Sequence, residues 1–176
     1  KALDDRGACV TGIDPAEEAI AAARAHAAAG NRAIRYDTGH GEALPYDKAS
    51  FDHVVCVDVL EHVSDLHRVL SEVARVLKPG GAFLFDTINR NLAARLAAVT
   101  VAGRVVGLLP RGTHDPAMFI RPEELTRGLE AAGLVPGPMT GLGPRGLTRR
   151  MDFTFGPLPL RTVIYMGVAR RPAVAP

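Results

Sequence analysis

Three apolar runs separated by helical periodicity constrain this chain more than any other feature. Residues 8–13 read ACVTGI, residues 51–57 read FDHVVCV and residues 81–87 read GAFLFDT. Runs rich in β-branched and aromatic residues, without in-and-out alternation, belong to strands covered on both faces. Between the last two, Leu66, Val69, Leu70, Val73, Val76 and Leu77 recur at helical spacing over 64–77. Lys78-Pro79-Gly80-Gly81 then stops that helix. Strand, helix and strand at this pitch predict an α/β protein with a mostly parallel sheet, right-handed crossovers and helices on both faces.

The remaining elements fit the same plan. Asp14-Pro15-Ala16-Glu17 predicts an N-cap, a proline at the first helical position and a glutamate at the third. The helix EEAIAAARAHAAA follows and ends at Gly30-Asn31. AIRY, 33–36, is a second strand, and GHGEALPYDKAS, 39–50, a glycine-rich loop. PEELTRGLEAAG, 122–133, predicts a helix opened by Pro122 and ended by Gly133, and LRTVIYMGVA, 160–169, a last strand, edge or antiparallel. With no internal repeat or low-complexity linker, residues 1–176 read as one domain, with a lid or insert at about 88–121.

Composition excludes some classes of function. A net charge of +2 is too small to make nucleic acid the main partner. Cys9 and Cys56 both sit in apolar runs, which predicts buried free thiols in a reducing compartment, hence a cytoplasmic protein. No uninterrupted apolar run approaches the ~20 residues of a membrane span. Residues 88–111 stand apart, because leucines and valines alternate there with Arg90, Arg95, Arg104 and Arg111, and no acid occurs from Thr87 to His114. The segment reads either as an interfacial stretch making peripheral membrane contact or as a lid over the site. At about 100° per residue Arg95 falls opposite the other arginines, so the amphipathic pattern is imperfect.

The candidate site residues lie after the strands. Asp14 follows VTGI, the position from which a carboxylate accepts hydrogen bonds from ribose hydroxyls in nucleotide-binding sheets; it also suits a helix cap. In CVDVLEHV, 56–63, Asp58, Glu61 and His62 stand within five positions. Three readings compete: metal ligands, a proton acceptor at Asp58 or His62, or a helix start where acids are favourable. His114 is a second candidate general base, or a turn residue within Gly-Thr-His-Asp-Pro.

Taken in order, VTGID, GHGEALPYDKASFDHVVCVDVLEHV and LKPGGAFLF resemble the class I methyltransferases that use S-adenosylmethionine, over residues 8–87. The second half is similar to the ubiquinone-biosynthesis O-methyltransferases. Thr87-Ile88-Asn89-Arg90-Asn91 and Pro110-Arg111-Gly112-Thr113-His114-Asp115 carry the likeness, together with Phe119-Ile120-Arg121-Pro122-Glu123-Glu124-Leu125. The resemblance implies a Rossmann-like fold and transfer of a methyl group from S-adenosylmethionine to a phenolic or catechol oxygen. It implies that Asp14 binds ribose, that His40 and Gly41 flank adenine, and that Val57 meets the cofactor through its backbone. Asp58, Glu61 and His62 would match a Glu-x-x-Glu-His motif associated with a divalent cation such as Mg²⁺, with Asp58 or His114 as base.

The chain also departs from that pattern. His40 stands where many relatives carry an acid, and Gly141-Leu142 runs into Gly143-Pro144-Arg145-Gly146 rather than an aromatic and Asn-Pro. The first strand and its glycine-rich cofactor loop have no counterpart before Ala8, and the chain opens without Met, so it reads as part of something longer. Two rivals stay open: a non-catalytic methyltransferase-like binding protein and a nicotinamide-dependent dehydrogenase that uses Asp14 for ribose.

Overall fold

The computed structural model describes residues 2–91, 94, 117–147 and 153–173. They divide into two compact units, Lys1–Tyr46 and Asp47–Pro176.

In the first unit, strand β1 (Thr11–Asp14) and strand β2 (Arg35–Thr38) flank helix α1 (Glu17–Ala29). The strands pair in parallel from Thr11↔Arg35 to Asp14↔Thr38. The expected strands at 8–13 and 33–36 are both shifted toward the C-terminus. Bonds at the two ends set this register: Arg35 N–H donates to the Val10 carbonyl, and Gly39 N–H to that of Asp14. Asp14 is not the cap of α1, as the Asp-Pro-x-Glu pattern suggested. It closes β1, and its Oδ1 accepts from Ala16 N–H at 2.8 Å in a local turn, leaving Ala16 in the cap position without a side-chain bond. Arg24 on α1 donates two bonds to the Tyr36 carbonyl, at 3.0 and 2.6 Å, and fastens the helix to β2.

The second unit holds β3 (Phe51–Cys56), α2 (Leu66–Val76), β4 (Leu77–Ile88), α3 (Pro122–Ala131), β5 (Val135–Leu147), β6 (Phe153–Leu158) and β7 (Ile164–Arg170). Its sheet runs β3-β4-β7-β5-β6. Only β3–β4 is parallel; β4–β7, β7–β5 and β5–β6 are antiparallel. The α/β class holds, yet the pairing is mixed rather than mostly parallel, because the Pro- and Gly-rich stretch 135–147 is itself a strand. The last strand is antiparallel as expected but lies inside the sheet, between β4 and β5.

The core sits on one face of this sheet. Leu70 and Val73 of α2, Leu125 and Leu129 of α3, and Phe83, Phe85 and Tyr165 of the strands form one buried cluster. Each such side chain contributes on the order of 1.5–3 kcal/mol on burial. Asp65 caps α2 by accepting from Arg68 N–H at 2.9 Å. At the other end Arg171 donates to the carbonyls of Ala74, Arg75 and Leu77, satisfying groups the helix leaves open. Gly133, at φ +79°, ends α3 as its position predicted. Leu84 and its neighbour in register, Val55, point away from this cluster and are exposed.

The cysteines differ from expectation. Both are free, but Cys9 is exposed because it precedes β1 rather than lying in it. Cys56 is half-buried at the end of β3.

Candidate functional site

The first unit gathers the residues expected to hold a nucleoside. Asp14 is exposed at the C-terminal end of β1, and no hydrogen bond among the described residues uses its Oδ2. Its carbonyl accepts Gly39 N–H at 3.1 Å, so the loop after β2 is fastened to the same point. His40 is exposed and Gly41 half-buried on that loop, and the His40 carbonyl accepts from Ala43 N–H at 3.2 Å. The structure therefore brings Asp14 and the His40–Gly41 turn together. Below them, Asp37 pairs with Arg35 at 2.8 Å and accepts from the Tyr46 hydroxyl at 3.1 Å. The bond from Arg35 holds the Asp37 carboxyl below the ordinary range, while burial and then Asp37 push Tyr46 up to about 12.

The second unit, taken by itself, carries the turn after β3. Val57 is 56% exposed and Asp58 follows it at φ +52°, a left-handed conformation uncommon outside glycine, which Asp tolerates better than most residues and which a local constraint selects here. The constraint is visible: Asp58 N–H donates to Asp86 Oδ1 at 2.8 Å. Leu60–His62 is a separate 3-10 turn, four residues before α2 begins, so Glu-His does not start that helix. Glu61 is 1% exposed; its Oε2 accepts from the Thr87 hydroxyl at 2.7 Å, and its Oε1 is buried with no partner among the described residues. His62 is exposed. Burial, then the charges of Glu61 and Asp86, push the Cys56 thiol up to about 12, which keeps it protonated and unreactive. Burial likewise raises the Asp86 carboxyl.

These positions bear on the expected cation. Among the described residues no three His, Cys, Asp or Glu side chains are gathered to hold a metal ion. Asp58 and His62 are exposed while Glu61 is turned inward onto Thr87, so the trio does not converge as a ligand set. A hard cation takes about six oxygen ligands, more than these side chains bring together.

Asp86 escaped the sequence reading. Its only signal was an acid inside FLFDTI, where an ionisable group in a buried strand calls for a partner. The Thr-Ile-Asn-Arg-Asn stretch has a clear structural use. Asn89 and Asn91 donate to the carbonyls of Arg161 and Thr162, each at 2.7 Å, and Arg90 pairs with Glu124 at the start of α3. Asn91 Oδ1 accepts from Ala94 N–H at 2.8 Å. His114 and nearly all of the basic stretch 92–111 lie outside the described residues. Among the described residues no helix is long and apolar enough to cross a membrane.

An α/β fold with carboxylates at the C-terminal ends of its parallel strands is of the Rossmann-like, nucleotide-binding kind. A family model described as a methyltransferase domain matches residues 1–85. Among solved structures, a SAM-dependent methyltransferase from Methanosarcina mazei superposes with a TM-score of 0.71 at 21% identity, covering 98% of this chain and 86% of that one. A structure from work on thioacetal formation in echinomycin biosynthesis gives 0.74 at 19%, covering 99% and 70%. At these identities the likeness is one of fold.

Curated relatives are nearer. The ubiquinone biosynthesis O-methyltransferase of Ralstonia nicotianae is 42% identical over 167 residues, covering 94% of this chain and 68% of the relative. That of Coxiella burnetii is 42% identical over 154 residues, and the alignment covers 88% of this chain and 66% of the relative. The chain belongs to the ubiquinone biosynthesis O-methyltransferase family.

Proposed function

We propose that this chain carries the cofactor- and acceptor-facing part of an S-adenosylmethionine-dependent O-methyltransferase. Its acceptor would be the oxygen of a phenol or catechol, such as a quinone precursor. The observation that carries the reading is Asp14. It closes β1 with one carboxylate oxygen held by Ala16 N–H and the other unused among the described residues, beside a loop fastened to its own carbonyl. A carboxylate so placed accepts from two vicinal ribose hydroxyls. Family membership favours the enzyme over the non-catalytic and nicotinamide-dependent rivals.

The bound cofactor supplies an electrophilic methyl group for in-line displacement. The chain's residues then have two tasks, to orient that group against the acceptor and to remove the phenol proton. Asp14, His40 and Gly41 hold the nucleoside, and the Val57 backbone orients the methionine end. Asp58, exposed at the turn after β3, is the proton acceptor of this reading, with His114 as the second candidate. Assay in the presence of EDTA tests for the divalent cation that the family resemblance implies, which Asp58, Glu61 and His62 are not gathered to hold.

Calorimetric titration of S-adenosylhomocysteine tests the proposal, using the 176-residue chain and a version lengthened to the span of its relatives. Binding to the longer version, followed by methylation in a screen of phenols and catechols, is the expected result. A folded longer version that binds none overturns the reading.

A further inference from the structure

The turn after β3 is held by two hydrogen bonds that run in opposite directions. One goes from the turn to the strand, from Asp58 N–H to Asp86 Oδ1 at 2.8 Å. The other goes from the strand to the turn, from the Thr87 hydroxyl to Glu61 Oε2 at 2.7 Å. Asp86 and Thr87 are neighbours at the end of β4, and they grip the two ends of the four-residue stretch Asp58–Glu61. Neither grip is an economical way to build a core. Glu61 is almost wholly buried, with one oxygen that has no partner among the described residues, and Asp58 sits at φ +52°. A buried carboxylate left partly unsatisfied is destabilising compared with an apolar residue of similar size, and so is left-handed backbone at a non-glycine residue. Such features persist where the surrounding structure over-determines them, and they concentrate at functional sites.

What the grip fixes is the direction of Val57 and Asp58. The chain leaves β3 at Cys56; Val57, 56% exposed, continues the exposed face of Val55, and at Asp58 the backbone departs from the strand direction at φ +52°. Without the left-handed residue the backbone would continue along the strand direction and present its groups elsewhere. We propose that Asp86 and the Glu61–Thr87 pair are positioning residues that hold the Val57–Asp58 backbone in the conformation that receives the cofactor. The inference rests on the methyl-transfer reading above. It assigns Glu61 a role through Thr87 rather than through a metal ion, consistent with ligands that do not converge.

The test is S-adenosylhomocysteine affinity of the lengthened protein and its variants, at a temperature where circular dichroism shows each fully folded. Asp86→Ala and Thr87→Val each remove one bond and weaken binding about tenfold. Asp86→Asn, Glu61→Gln and Thr87→Ser keep an acceptor or hydroxyl in place and restore it to within about threefold. Variants that melt earlier yet bind as the parent does overturn the proposal, since the bonds would then serve stability alone. A parent protein that binds no S-adenosylhomocysteine instead overturns the methyl-transfer reading itself. Should the two disruptive variants not fold, amide exchange at Asp58 in the parent decides the matter. Protection that rises about tenfold on adding S-adenosylhomocysteine supports the inference, and unchanged protection sinks it.

Discussion

Arg35 lies 5.9 Å from the centre of the Tyr46 ring and pairs with Asp37, so one cation serves two neighbours. Its bond lowers the Asp37 carboxyl from 3.8, which means the folded state holds that proton less readily than the unfolded one. The stabilising contribution of Asp37 is therefore present above the unfolded value and is lost as pH falls through the folded value. Arg35→Gln should raise the Asp37 titration midpoint back toward 3.8, read by carboxyl carbon NMR. Asp14 invites a second substitution. Asp14→Ala should weaken S-adenosylhomocysteine binding about tenfold or more, because bonds from ribose hydroxyls to a carboxylate are each worth ~1.5–3 kcal/mol. It should cost folding stability only about 0.5–1 kcal/mol, the value of a local turn bond in this exposed position, measured by urea unfolding. Asp14 and Asp58 were visible in the sequence because each ends an apolar run. Asp86 was not, because the group it serves is a backbone N–H 28 positions earlier, and no side-chain pattern announces a backbone donor.

Strand β5 shows what propensity hides. Residues 135–147 read VPGPMTGLGPRGL, a composition that argues for turns, yet they pair with β7 and β6 over most of their length. The ladder accommodates the prolines at register shifts between Pro136 and Met139 and between Pro144 and Gly146. Gly141 serves close approach: a Cβ there would lie 2.0 Å from the Leu160 carbonyl oxygen. Gly141→Ala should therefore destabilise by about 1–3 kcal/mol or more, as overpacking does. Gly146→Ala, whose nearest neighbour would be Thr154 Oγ1 at an ordinary 3.6 Å, should stay within about 1 kcal/mol. Chemical denaturation of the pair separates these outcomes. By contrast β3, α2 and β4 were legible from the sequence, since burial on one helix stripe and two strand faces leaves a strong periodic trace. Their junction was less so: Leu77–Gly81 ends the helix as expected but already belongs to β4.

For the chain as a whole, the single-domain expectation is a statement about cooperativity. The version lengthened to its relatives should unfold in one calorimetric transition, with van't Hoff and calorimetric enthalpies in agreement. Two resolved transitions would assign Lys1–Tyr46 and Asp47–Pro176 separate stabilities. The order of the larger sheet carries a consequence of its own. Strand β7 lies in the middle of that sheet and is flanked by β4 and β5, yet among the described residues it comes after every other strand in chain order. Leu84 cannot meet Val168, nor Thr140 meet Met166, before those later residues exist. On the ribosome, then, the edge of β4 that β7 will cover must stay open while roughly eighty further residues are synthesised, several seconds at ordinary elongation rates. The sheet closes from its centre, and it closes last there, so nascent chains stalled before residue 164 are the form most exposed to mispairing.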